Sequence, residues 1–108
     1  MLTHNKLIRD FIPNIITSTG KSSNTRILDE AEYATELRTK LREEADEYFA
    51  ASSDVDALEE LADMLEVIRA LAVTHGADPE RLEQIRADKA AKRGGFDQRI
   101  YLIDVHES

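Results

Sequence analysis

The chain contains no cysteine and no tryptophan, and it has only 4 glycines, 2 prolines and 6% aromatic residues. The absence of cysteine excludes a disulfide framework and a thiolate metal site, and it fits a reducing compartment. No apolar run approaches the length of a membrane span, and the first residues lack the apolar core of a signal peptide. We therefore expect a soluble, cytoplasmic protein that has no membrane partner.

Positive charge is also scarce, because 14 Lys and Arg residues stand against 22 Asp and Glu residues and the net charge is −8. Affinity for the phosphate backbone depends on lysine and arginine, so we expect no nucleic-acid polymer as a partner. The acids are concentrated in residues 29–88, which carry 18 acidic and 6 basic residues. This pattern is typical of a solvated helix surface, or of a site that combines acids for a metal with bases for phosphates.

Capping and breaking residues predict four helices in a single domain that spans residues 1–108. Capping-box spacing, an Asp-Pro helix start and glycine stops mark their ends. The predicted helices are Asp10 or Ile12 to Thr19, Asp29 to about Ala51, Val55 to His75, and Pro79 to Lys92. Short extended segments are expected at Thr25–Leu28 and in the alternating, β-rich stretch Phe96–His106, and these two segments are candidates to pair. The predicted fold class is all-α with short extended ends.

Two acidic motifs lie on consecutive predicted helices, Glu43-Glu44-x-x-Glu47 on the second and Glu60-x-x-Asp63 on the third. Residues three apart share a helix face, so a helical hairpin brings four carboxylates to one point. At about 100° per residue, Glu44 and Glu60 fall within the apolar arcs of their helices. Glu47 lies just past the edge of its arc, Asp63 lies past the edge of the other arc, about 60° further round than Glu60, and Glu43 points to solvent.

A shared divalent cation explains why both helices place a carboxylate in an apolar face. A buried, unpaired carboxylate costs several kcal/mol or becomes protonated. Oxygen ligands without histidine or cysteine favour Mg²⁺, or Mn²⁺, over zinc. The alternative is that Glu44 and Glu60 are partly exposed and are balanced by Lys40, Arg38 or Arg69.

The motifs, in the contexts Lys40-Leu41-Arg42-Glu43-Glu44 and Glu59 to Ile68, resemble the MazG-type all-α nucleoside triphosphate pyrophosphohydrolase superfamily. The segments Asn5–Pro13 and Lys89–Phe96 are similar to its small stand-alone members, which are often labelled phosphoribosyl-ATP pyrophosphohydrolase-like. The resemblance implies Mg²⁺-dependent cleavage between the α and β phosphates of a nucleotide, to give a nucleoside monophosphate and pyrophosphate. It also implies a role in house-cleaning or in control of the nucleotide pool.

The resemblance assigns two groups of site residues. The catalytic and metal-binding carboxylates are Glu44, Glu47, Glu60 and Asp63. The phosphate-binding or substrate-binding cations are Lys6, Arg9, Lys89 and Arg93. Lys89 and Arg93 also lie near a helix C-terminus, where the helix dipole favours cations in any case.

The sequence departs from one member of this superfamily, the histidine-biosynthesis enzyme. In that enzyme the second motif is typically followed by an aromatic residue and a histidine, whereas Glu66-Val67-Ile68 stands here. Phosphoribosyl-ATP is therefore the alternative substrate rather than the first expectation. A non-catalytic helical module that binds a metal or a protein partner is the alternative outside the enzyme class.

The predicted hairpin has apolar faces that one short further helix can scarcely cover. We therefore expect a homodimer in which two MazG-like hairpins complete a four-helix bundle, or a dimer of dimers.

Overall fold

The computed structural model describes residues 2–107 and contains four helices in this part of the chain. They are α1 (Ile12–Ser18), α2 (Glu30–Ala50), α3 (Asp54–Thr74) and α4 (Pro79–Arg93). No strand forms among these residues, so the predicted all-α class is confirmed. None of the helices described here combines the length and the apolar character needed to cross a bilayer.

Each of the three long helices begins with a side chain that caps its free backbone N–H groups. The acceptors are Asp29 for α2, Ser53 for α3 and Asp78 for α4, at 2.8, 3.1 and 2.8 Å from the backbone nitrogen three residues later. These N–H groups have no partner within the helix, so the capping side chains fix where each helix starts. The predicted starts are confirmed to within two residues.

Helices α2 and α3 form an antiparallel hairpin, because only residues 51–53 connect them. Leu37 of α2 and Ala72 of α3 are the most buried apolar residues, at 4% and 8% exposed. Half-buried side chains on the facing sides of the two helices extend this core: Leu41, Ala45, Tyr48, Met64, Val67 and Leu71. Helix α4 contacts α3, whereas no contact joins α4 to α1 or α2 in the part of the chain described here.

The apolar side chains of α3 are divided between a half-buried and an exposed part of the helix surface. Met64, Val67 and Leu71 are half-buried in the hairpin. Leu58 and Leu65 are 66% and 60% exposed, and at about 100° per residue they lie roughly 100–120° round the helix from Met64. This exposed part is an uncovered apolar stripe, which we call the outer face of α3; its members are Val55, Leu58, Leu61, Leu65 and Val73.

The expected β-structure at the C-terminal end does not form. Residues 96–107 contain a turn in which the Arg99 backbone N–H donates to the Phe96 carbonyl at 3.1 Å. Arg99 also has a φ of 59°, which is incompatible with a continuous strand. A strand requires a hydrogen-bonded neighbour, and Thr25–Leu28 does not pair with this segment. The alternating pattern therefore reflects apolar side chains on an irregular segment.

Candidate metal centre

Three carboxylates meet on one side of the hairpin. One ligand oxygen from each of Glu44, Glu47 and Glu60 lies within 4.8 Å of the other two. Glu44 lies six residues before the end of α2, and Glu60 lies six residues after the start of α3. Because the helices are antiparallel and the connection is short, these positions are at the same height in the hairpin. The sequence prediction that the two motifs converge is confirmed for these three residues.

Burial distinguishes these carboxylates from ordinary surface acids. Glu44 is buried, at 9% exposed, whereas Glu60 is half-buried and Glu47 is exposed. The Oε2 atoms of Glu44 and Glu60 are both inaccessible to solvent and accept no hydrogen bond. An ionised oxygen without a donor is unstable in such a position. The neighbouring Glu43 is exposed, as the helical wheel predicted.

Proximity of the three acids changes how they titrate. The pKa of Glu60 is raised to about 7, first by the hydrogen bond that its protonated carboxyl can share with Glu47, and then by burial and by the nearby Glu44 carboxyl. Burial is also the largest cause of the raised pKa of Glu44, and the charges of Glu47 and Asp63 act in the same direction. Protonation of Glu60 near neutral pH therefore relieves the repulsion among the three carboxylates.

Asp63 lies beside this cluster and has a different partner. Its Oδ1 accepts a hydrogen bond from Nη2 of Arg9 at 2.8 Å, and the two side chains are 41% and 58% exposed. Arg9 belongs to the segment that precedes α1, so this ion pair ties the N-terminal segment to α3. The structure thus brings one predicted phosphate-binding residue next to one predicted metal ligand.

The other predicted cations lie outside the cluster. Lys6 is exposed in the N-terminal segment, and Lys89 and Arg93 are exposed in the C-terminal part of α4. Among residues 2–107, none of these three side chains forms an ion pair. Their assignment as phosphate ligands stays a prediction.

Lys40, which the sequence analysis named among the cations that could balance Glu44, lies beside the cluster. Its Nζ lies 3.8 Å from Oε1 of Glu44 and 3.9 Å from Oε2 of Glu43. The side chain is only 23% exposed, so its charge acts in a partly desolvated environment. The spacing of four residues between Lys40 and Glu44 is the signal that identifies this contact.

The donor set fits a hard divalent cation. The cluster offers carboxylate oxygens alone, and no nitrogen or sulfur ligand belongs to it. The two buried Oε2 atoms without hydrogen bonds are the oxygens that a cation would satisfy. Glu44, Glu47 and Glu60 could therefore hold such an ion together, whereas Asp63 is paired with Arg9.

Fold and site together define a class, an all-α protein whose helical hairpin carries a carboxylate cluster suited to a metal ion. Residues 9–90, most of the chain, match the family model described as phosphoribosyl-ATP pyrophosphohydrolase. The chain belongs to this family and hence to the MazG-like all-α nucleoside triphosphate pyrophosphohydrolases. It is a pyrophosphohydrolase, a hydrolase that acts on phosphoric anhydrides. The chain matches no curated protein and no solved structure.

Proposed function

We propose that the protein hydrolyses a nucleoside triphosphate between the α and β phosphates in a Mg²⁺-dependent reaction. One water is added across the anhydride bond, and the products are a nucleoside monophosphate and pyrophosphate. The observation that carries the proposal is the group of carboxylates from Glu44, Glu47 and Glu60, two of which have buried oxygens without donors. Mn²⁺ is the alternative metal, because it prefers the same oxygen ligands.

The proposed roles follow the positions of the side chains. Glu44, Glu47, Glu60 and Asp63 would hold the metal, which when bound offsets phosphate charge and acidifies water. A carboxylate of the second motif, Glu60 or Asp63, orients the attacking water and accepts its proton. Arg9 reaches the same place and binds a phosphate oxygen through its planar group of N–H donors. Lys6, Lys89 and Arg93 are proposed to complete the phosphate site on substrate binding.

The family description itself supports a second substrate. Phosphoribosyl-ATP contains the same α–β anhydride bond, so the metal centre is equally suited to both molecules. Phosphoribosyl-ATP differs from ATP in the phosphoribosyl group on the adenine, and discrimination between these two molecules must therefore come from residues near the base. At the corresponding place after the second motif this chain has Glu66, Val67 and Ile68, and Val67 is half-buried in the hairpin. We propose that the main substrate is a nucleoside triphosphate, and that its hydrolysis serves house-cleaning or control of the nucleotide pool.

A substrate panel tests this proposal. Canonical, 2′-deoxy, oxidised and other non-canonical triphosphates are compared with phosphoribosyl-ATP at fixed Mg²⁺, and pyrophosphate and monophosphate are both quantified. Equal amounts of the two products from a triphosphate are expected. Release of single phosphates would contradict α–β cleavage, and turnover of phosphoribosyl-ATP alone would identify the second substrate as the true one.

We also propose that the chain is one domain that works as a homodimer, or as a dimer of dimers. Its accessible surface is 10025 Å², whereas a compact folded chain of 12.2 kDa exposes about 6,100 Å². The excess is larger than the area that each subunit usually buries in an obligate dimer. The outer face of α3 is the apolar surface on the hairpin that is free to pack against a second copy.

A further inference from the structure

The contact between Arg9 and Asp63 places a cation on the one predicted metal ligand that is outside the cluster. Glu44, Glu47 and Glu60 lie within 4.8 Å of one another, but Asp63 does not join them. Its Oδ1 is instead 2.8 Å from the Arg9 guanidinium. While Arg9 holds this position, its positive charge offsets the charge of Asp63 and opposes the approach of a metal ion to that carboxylate.

We propose that Arg9 reserves Asp63 in the free protein and transfers to a phosphate group when the nucleotide binds, which allows Asp63 to join the three glutamates as a metal ligand. The inference rests on the proposed function. It makes Arg9 a residue that couples the binding of metal to the binding of substrate. Coupling of this kind is reciprocal, so each ligand increases the affinity of the other.

Exposure of the pair allows such an exchange. The Arg9 and Asp63 side chains are 58% and 41% exposed, so water and a phosphate group can both reach the guanidinium. Exposed ion pairs contribute little to stability, and an incoming ligand therefore displaces them readily. A phosphate group offers Arg9 the same planar arrangement of two acceptors as a carboxylate, together with a larger negative charge.

The location of Arg9 on the chain also allows it to move. Arg9 precedes α1, and its carbonyl oxygen accepts the Ile12 backbone N–H at 3.1 Å, which is its connection to the first helical turn. Helix α1 makes no contact with another helix among the described residues. The exposed Arg9 side chain can therefore change its partner without a change in the contacts between α2 and α3.

The chain provides a matched control in a second arginine. Arg26 precedes α2 and pairs with Glu32 at the same distance of 2.8 Å, with side chains 69% and 45% exposed. Neither Arg26 nor Glu32 is part of the carboxylate cluster. Replacing Arg26 removes one positive charge and one exposed ion pair, as replacing Arg9 does, but leaves Asp63 unaffected.

The test measures binding rather than turnover. Mn²⁺ affinity is measured by calorimetry for the full chain, alone and with a triphosphate whose α–β bridging oxygen is replaced by a methylene group. For Arg9→Gln, we expect Mn²⁺ alone to bind about 2- to 5-fold more tightly, because the exposed Arg9 guanidinium no longer competes with the ion for Asp63. The same variant is expected to bind the analogue, at saturating Mn²⁺, about 10-fold or more weakly, since a charged hydrogen bond is lost. Arg26→Gln should change neither affinity.

A double variant shows whether Arg9 acts through Asp63. In the Asp63→Asn background, Arg9→Gln is expected to give no gain in Mn²⁺ affinity, because the ligand that Arg9 reserves is already absent. An equal gain in both backgrounds would overturn the inference, since Arg9 would then act only through its charge. Unchanged or weaker Mn²⁺ binding by Arg9→Gln alone would also overturn it.

The outcomes separate this inference from the proposed function. The unaltered protein could bind Mn²⁺ and hydrolyse a triphosphate while Arg9→Gln has the same affinities as Arg26→Gln. In that case the inference that Arg9 reserves Asp63 is wrong, and the proposed function stands. If the unaltered protein binds no divalent cation, the proposed function fails, and the inference fails with it. Circular dichroism of each variant confirms that the helices are intact.

Discussion

The pH dependence of metal binding follows from the way Glu60 is held in the cluster. Hydrogen bonding to Glu47, together with burial and the Glu44 carboxyl, raises the pKa of Glu60 to about 7, from 4.5 for an isolated glutamate. The ionised fraction of Glu60 therefore rises from about one tenth at pH 6 to about nine tenths at pH 8. A metal ion that displaces this proton should bind about 10-fold more tightly at pH 8 than at pH 6.

The metal-free protein should show the opposite trend in stability. A carboxyl whose pKa is higher in the folded state than in the unfolded state stabilises the fold at low pH, where it is protonated in both states. That stabilisation is lost as the pH rises through the folded-state pKa. For Glu60 the loss falls between about pH 4.5 and pH 7, and the raised pKa of Glu44 acts in the same direction. The metal-free melting temperature should therefore decrease across this range.

Calorimetric Mg²⁺ titrations and thermal melts at pH 5, 6, 7 and 8 measure both trends in the same samples. Glu60→Gln mimics the protonated side chain, so the melting temperature of this variant should decrease less as the pH rises. Glu43→Gln changes an exposed residue outside the cluster, so its melting temperature should decrease with pH as in the unaltered protein. A metal-free melting temperature that rises from pH 5 to pH 8 would refute the reasoning. An Mg²⁺ affinity that is equal at pH 6 and pH 8 would refute it as well.

Three further predictions concern the hairpin. Leu37→Ala should lower the free energy of unfolding, measured by urea denaturation, by about 2–5 kcal/mol, because Leu37 is only 4% exposed. A decrease below about 1 kcal/mol would show that the hairpin core is elsewhere. Ser53→Ala should cost about 1 kcal/mol through loss of the α3 cap, and Ser52→Ala, which removes no cap, should cost less in the same assay. Leu65→Glu on the outer face of α3 should convert a dimer to a monomer, as measured by light scattering. Thr39→Glu, at an exposed position of α2, should leave the dimer unchanged. A monomeric unaltered protein would contradict the proposed dimer.

Local sequence signals were sufficient to predict the helices. Asp29, Ser53 and Asp78 cap their helices with side-chain oxygens, and this chemistry depends only on residues within one turn. The C-terminal segment was different, because alternation of apolar residues predicts a strand only where a neighbouring strand is available. Residues 96–107 have no such neighbour within the described chain, and the alternation therefore has no structural consequence there.

The carboxylate cluster was predictable because its members repeat with the helical period. Glu44, Glu47 and Glu60 converge once two amphipathic helices fold back on each other, and the short connection makes this arrangement the simplest one. The partner of Asp63 was not predictable from the same pattern. Arg9 is 54 residues away in the sequence, and no periodicity relates a residue outside the helices to a position on α3.

The division of the apolar face of α3 was also beyond the helical wheel. The wheel shows which residues share an arc, but it does not show which half of a wide arc faces α2. Leu58 and Leu65 belong to the exposed half and Val67 to the half-buried half, a distinction that depends on how the two helices are rotated against each other.

We propose that the carboxylates of Glu44, Glu47 and Glu60 hold the metal on which hydrolysis depends. The most direct test is release of pyrophosphate from the best triphosphate of the panel at saturating Mg²⁺, measured for Glu44→Gln and for Glu43→Gln. These adjacent variants make the same chemical change, one in a buried residue of the cluster and one in an exposed residue beside it. The structure predicts that Glu44→Gln abolishes Mg²⁺-dependent release and that Glu43→Gln retains it. Full activity of Glu44→Gln, or equal loss in both variants, would contradict the assignment of this cluster as the metal centre.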